Sequence, residues 1–339
     1  MKTIKTIALT CAIAMGLTSC SDNDNDTIAK IDTKILFTSN NADGNVNIYN
    51  VTNINSVTKS TLTTTATAAD GIYYDGNEDL VVQASRSSLG LEGYAGVSLS
   101  SSAINTTVIA IVSSGLNMTS PREVAVNGNF YVVADNADAD GNDATKDGRL
   151  FVYTKNGNSF TLRNTITTNI KLWGIIFIGN DLYAVADTTN ELAVYANFLN
   201  NTSSTTLTAT KQIAVEGIVR THGLTYDSLT DTMILTDIGD AGSGTDGGFH
   251  VIENFNSKFN STANGATLAV TQQTRVAGSN TVLGNPVDVA YDGDTKTVFI
   301  AEAKNGKILA YNNIGSGGNL TPAYSADLAS ASAVYFHKE

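Results

Sequence analysis

Five segments of this 339-residue chain follow one pattern, and that repetition constrains its fold more than any other feature. Residues 70–86, 121–135, 172–187, 221–237 and 285–302 each open on a small or polar residue and run through an apolar, β-rich stretch. Each then reverses at a Gly/Asn/Asp turn and returns through a second apolar stretch to a polar residue. With Gly71, Glu123, Gly174, Gly223 and Asp288 taken as equivalent positions, the spacings are 52, 51, 49 and 65 residues. A third apolar run follows in each unit, at 95–99, 150–153, 192–195, 249–252 and 308–311. No helical period competes, and a repeat near fifty residues with three or four strands per unit predicts the blades of a β-propeller.

A sixth copy begins at Ser332 and runs out of chain, while its complementary strands stand at the other end, at 35–40 and 46–50. The fold class expected is therefore all-β: a six-bladed β-propeller closed by N- and C-terminal strands sharing one blade, which hides the edges an open sheet would expose. The blade pattern, clearest at 285–312, resembles the NHL-repeat and gluconolactonase-like propellers. Such folds carry enzymes, scaffolds and binding proteins alike, so the resemblance implies architecture and leaves function open.

The N-terminus reads as an address. Lys2 and Lys5 precede an apolar stretch from Ile7 to Leu17, too short to span a bilayer, and the run ends in Leu17-Thr18-Ser19-Cys20. This resembles the lipobox of bacterial lipoproteins and implies a signal peptide at 1–19 with lipidation of Cys20. The acidic Ser21-Asp22-Asn23-Asp24-Asn25-Asp26 that follows resembles the surface-export tag of Bacteroidetes lipoproteins, making 20–32 a lipidated tether and 33–339 the propeller. The expected location is the outer membrane, lipid-anchored at the cell surface. Loss of Lys2 and Lys5 takes the net charge from −12 to −14, which argues against nucleic acid as a partner. Cys11 leaves with the signal, so Cys20 has no disulfide partner.

In a propeller the innermost strand starts, and the second strand ends, on the face around the channel mouth. The alignment thus places Asp70, Arg122, Glu123, Trp173, His222 and Asp288 there, with Asn40, Ser85, Asp135, Asp187, Asp237 and Glu302 from second-strand ends. Oxygen ligands converging from several blades suit calcium. In the gluconolactonase-like and paraoxonase-like enzymes a central calcium polarises a lactone or ester carbonyl. That resemblance implies Glu123, Asp237 and Asp288 as ligands and His222 as the proton-transfer group, although no blade carries those enzymes' full ligand motif. The competing reading has the acidic strand ends capping amides of the following turn. Arg122, Trp173, His222 and Asp187 form the candidate ligand-binding set, the indole stacking on a sugar or aromatic ring and Arg122 pairing with a carboxylate; alternatively Trp173 plugs the channel.

Three mouth loops read as long: 85–94, 135–149 and 237–248. In the second, Asn136, Asp138, Asp140 and Asp147 approximate the spacing of an EF-hand-type calcium loop, without its helices. Gly242, Gly244 and Gly247 match a dinucleotide fingerprint formally, but a strand follows instead of a helix, so the motif is discarded. Ser228 and Thr232 lie in Asp-Ser/Thr-apolar triplets that resemble Bacteroidetes O-glycosylation sites. The function expected is a membrane-anchored lipoprotein whose mouth binds a ligand or protein partner, a glycan or small molecule, or a subunit of an outer-membrane complex. The alternative is a calcium-dependent lactonase or esterase.

Overall fold

The computed structural model describes residues 32–100, 106–142 and 144–339. The expected signal peptide, the expected lipidation site Cys20 and all of the expected tether except Asp32 lie outside the described residues. Asp32–Glu339 forms one unit, almost wholly of strands. Among the described residues no helix is long and apolar enough to cross a membrane.

The strands assemble as six four-stranded antiparallel units. The first joins the chain ends: Ala331–Lys338 pairs with Lys34–Asn40, followed by Val46–Asn50 and Thr58–Thr63. The others begin on inner strands Ala69–Asp75, Pro121–Asn127, Leu172–Ile178, Leu224–Asp227 and Pro286–Asp292, and each proceeds outward in sequence order. The second and third units are linked at their outer edges by a short parallel pairing of Ser113 and Ser114 with Ser159 and Phe160.

The period-2 alternation of strands explains the packing, because both faces of every unit are buried. Val132 and Ala134 face the fourth unit, whereas Tyr131 and Val133 on the same strand face the second. Six apolar clusters result, one between each successive pair of units, including the sixth and the first. Each inner strand packs on the next, and Ala331–Lys338 touches both Pro286–Asp292 and Ala69–Asp75.

One expected strand is displaced. The third strand of the second unit is Gly90–Ala95, and residues 97–100 form a helical turn, so the expected long loop 85–94 is a tight turn at 86–89. Glycine and glutamate hide this strand from an apolar-run reading. Gly93 is needed because a Cβ there would stand 3.0 Å from Val112, and Glu92 is accommodated by the Tyr94 and Thr65 hydroxyls.

Candidate functional site at the channel mouth

The inner strands enter the channel through a repeated irregularity. Pairing with the second strand shifts register at Ala69/Ile72, Val133/Asp135, Leu172/Ile175 and Pro286/Asp288, which turns the strand starts out of the regular ladder. Close approach requires glycine at three of the equivalent positions, 71, 174 and 223. A Cβ on Gly71 would lie 2.6 Å from the Glu123 Cα, one on Gly223 2.6 Å from the Asp288 Cα, and one on Gly174 2.4 Å from the His222 carbonyl. Gly174 N–H bonds that same carbonyl at 2.9 Å.

The residues one position earlier build the mouth. Arg122, Trp173 and His222 form a stack: the guanidinium carbon lies 4.1 Å from the indole centroid, and the imidazole is 3.5 Å from it with planes 6° apart. Two groups this close cannot share one face, so both faces of the indole are covered. The expected stacking of a sugar on Trp173 is therefore unavailable, and the indole offers a ligand its edge.

Each end of the stack is held by a carboxylate. Arg122 Nη1 donates to Asp70 Oδ2 at 3.0 Å, and Arg86 stands 3.7 Å from the same oxygen. Burial raises the Asp70 carboxyl despite both arginines. At the other end Asp187 Oδ1 meets His222 Nε2 at 3.0 Å and the Arg220 side chain at 2.7 Å. Burial works to raise Asp187, but the His222 hydrogen bond and the neighbouring charges hold it well below the usual carboxylate range. Burial lowers His222 to about 4, so its ring is neutral at pH 7, and its Nδ1 is buried without a hydrogen-bond partner.

A cavity of about 180 Å³ adjoins the stack, bordered by Asn41, Asp70, Arg122, Trp173 and Ser330. On two of these bordering residues, Arg122 Nε and Asn41 Oδ1 are buried with no hydrogen-bond partner among the described residues. Asn41 and Arg220 escape the alignment because they lie in turns, outside the repeat's fixed positions, while Arg86 closes the first aligned segment without being read as a mouth residue. Only the need of buried Asp70 and Asp187 for counter-charges points to the arginines.

The expected central metal set is not assembled as a trio. Glu123 and Asp288 line the channel together. Asp237 is buried elsewhere: its Oδ1 accepts the Val219, Arg220 and Gly239 N–H groups and its Oδ2 faces Arg275. Asp135 and Glu302 cap turns in the same way, Glu302 accepting the Asn285 and Asn305 N–H groups. Among the six equivalent positions only Glu123 and Asp288 carry a side-chain oxygen, the others being Gly71, Gly174, Gly223 and Ala333. Calcium takes six to eight oxygens, so the donor set does not fit it at the centre.

The loop after the second strand of the third unit is different. Asp138, Asp140 and Asp147 bring one carboxylate oxygen each within 4.8 Å of one another and could hold a divalent cation such as calcium. Asn136 leaves that group, donating instead to Leu172 O at 2.6 Å and Asp187 Oδ2 at 3.1 Å, which ties the loop to the mouth. Ser228 is exposed, but Thr232 is buried with its hydroxyl bonded to Thr230, so a sugar cannot be attached to Thr232 in this fold. A strand, Gly248–Glu253, follows the glycine-rich 242–247, with no helix to hold a dinucleotide.

No family model matches the chain, and no curated protein matches it. Solved structures do match in fold. A chain of the nidogen/laminin complex aligns with TM-score 0.59 and 13% identity over 90% of this chain and 98% of that one. A putative 6-phosphogluconolactonase from Bacteroides fragilis aligns with TM-score 0.58 and 10% identity, covering 91% and 98% of the two chains. One from Bacteroides uniformis gives 0.56 and 11%, covering 91% and 100%. The all-β architecture of small sheets around a channel is thus that of known β-propellers.

Proposed function

We propose that this chain is a six-bladed propeller, closed by its two terminal strands in one blade, that binds a small polar ligand at its mouth. The observation that carries the reading is the cavity beside Arg122 and Trp173, where the Arg122 Nε donor and the Asn41 Oδ1 acceptor are buried without partners. Such groups cost about 1–3 kcal/mol each when left unpaired, and a hydroxylated ligand, a hydroxylated lactone included, supplies both the acceptor and the donor they need. Calcium in the Asp138 loop would brace the rim through Asn136. The chain's single tryptophan makes the test direct: titration of a lactone and monosaccharide panel should change Trp173 emission, and Asn41→Ala should abolish the change. A panel without effect on emission or thermal stability would sink the reading.

A second reading, hydrolysis of a lactone or ester, is favoured by the Asp187–His222 pair. The carboxylate accepts a hydrogen bond from Nε2–H and so leaves the lone pair on Nδ1, the tautomer a general base needs. It would show as turnover on the lactone panel that His222→Gln removes. The fold likeness to two putative 6-phosphogluconolactonases suits this reading, while that to a chain of the nidogen/laminin complex suits a protein partner.

The anchor remains part of the proposal: Cys20 carries lipid, and the propeller stands at the outer-membrane surface, where it could serve an uptake or assembly complex. Fractionation of wild type against Cys20→Ser tests this, with loss from membranes expected.

A further inference from the structure

A second cavity, of about 300 Å³, shares no lining residue with the mouth cavity and lies along the channel, walled by all six inner strands. Its end toward the tight turns is aromatic, with Tyr73, Tyr226 and Tyr335 among the rings there, mostly half-buried. Its other end stops at Glu123 and Asp288, on the third and sixth units, three places apart in a ring of six and so opposite each other.

Among the described residues these acids have no counter-charge. No lysine, arginine or histidine lines the cavity. Asp288 is 6% exposed and accepts two backbone N–H groups, from Val289 and Val334, each at 2.8 Å. Glu123 accepts one, from Val124 at 2.9 Å, and its Oε2 meets no donor among the described residues. The charges acting most on the pair are the acids themselves and Asp70. Burial first, and mutual repulsion second, raise Glu123 well above its ordinary value, and burial raises Asp288 to about 7. Ionising both acids places two like charges in a low-dielectric space with nothing to offset them.

The missing charge must come from something small with N–H donors, and the wall specifies the remainder. A metal ion would find few oxygens beyond the two acids. An ammonium needs only acceptors for its three N–H groups, and the aromatic rings would attract it and bury an apolar body. We infer that this cavity, entered from the turn face, binds an organic ammonium on a small apolar body, with the nitrogen between Glu123 and Asp288 and the body against the tyrosine wall. This site is independent of the mouth reading.

The test uses the full chain with 2-phenylethylammonium and its neutral analogue 2-phenylethanol, followed by ligand-observed NMR and calorimetry at neutral pH. The amine is expected to bind about tenfold or more tighter than the alcohol. Glu123→Gln, which keeps the acceptor for Val124 N–H, should cost the amine about tenfold and leave the alcohol within about twofold. Transferred NOEs from the bound amine should reach tyrosine rings and not the Trp173 indole. Equal binding of amine and alcohol, indifference to Glu123→Gln in a protein with wild-type circular dichroism, NOEs to Trp173, or no binding up to about 10 mM would each overturn the inference.

Discussion

The indole of Trp173 lies flat on the imidazole of His222, centroids 3.5 Å apart, and seals it to 3% exposure. The histidine is therefore neutral in the fold, lowered by burial to about 4 from an ordinary 6.5. The native state then binds fewer protons than the unfolded chain between those values. The stability is complete above pH 6.5 and is lost as pH falls toward 4. We expect this residue alone to remove about 2 kcal/mol between pH 7 and pH 5. Urea unfolding at the two pH values measures it, and His222→Gln should flatten that part of the slope. His250 and His337, also lowered by burial, keep the remainder in the same direction.

The channel acids act with the opposite sign. Glu123 and Asp288 are raised in the fold, so their contribution is present below the ordinary carboxylate range and fades as pH rises through about 7 for Asp288. Glu123→Gln should therefore have a higher Tm than wild type at pH 8, and that gain should shrink as pH falls to 5. Equal Tm gains at both pH values would show that charge is not the cause.

How much of this was legible in sequence depends on what the repeat fixes. Gly71, Glu123, Gly174, Gly223 and Asp288 align by the pattern of the repeated segments, and the structure packs Gly71 on the Glu123 backbone, Gly223 on the Asp288 backbone and Gly174 on the His222 carbonyl. The stack of Arg122, Trp173 and His222 follows from the same alignment, one position earlier. What spacing does not carry is orientation. Asp237 and Glu123 look equally acidic and equally near the mouth, yet Asp237 ends a second strand, where the amides of 219, 220 and 239 lie within reach. Glu123 starts an inner strand and has only Val124 N–H. Arg220 was illegible because turn residues obey no period, and Gly90–Ala95 because its burial is supplied by Val112 and Leu80 from neighbouring strands.

Gly223 tests the ring's close approach directly. A methyl group there meets backbone, at 2.6 Å from the Asp288 Cα and 3.1 Å from the Val287 carbonyl, and neither can swing aside. Gly223→Ala should destabilise by about 2–4 kcal/mol through overpacking. Gly315→Ala, with nothing within 4 Å of the added methyl, serves as the control and should change stability by no more than about 0.5 kcal/mol. Comparable losses in both would remove the packing argument.

The Asp138 loop makes a separate prediction, because its charges are half satisfied. Asp138 Oδ1 already accepts the Asp140 and Asn142 N–H groups, Asp140 Oδ1 that of Asn142, and Asp147 Oδ1 that of Ala139, so each carboxylate keeps Oδ2 for a cation. Three such oxygens at a half-exposed loop, completed by water, place calcium in the weak class, with Kd of about 10⁻⁴–10⁻³ M. At about 5 mM calcium, mass action on such a site stabilises the fold by about 1–2 kcal/mol. Asp147→Asn should abolish that increment while leaving the metal-free Tm nearly unchanged, since the amide oxygen still accepts the Ala139 N–H. Magnesium should do less, because it demands octahedral geometry and holds its waters. A calcium-independent Tm in wild type would mean that the backbone amides alone satisfy the loop.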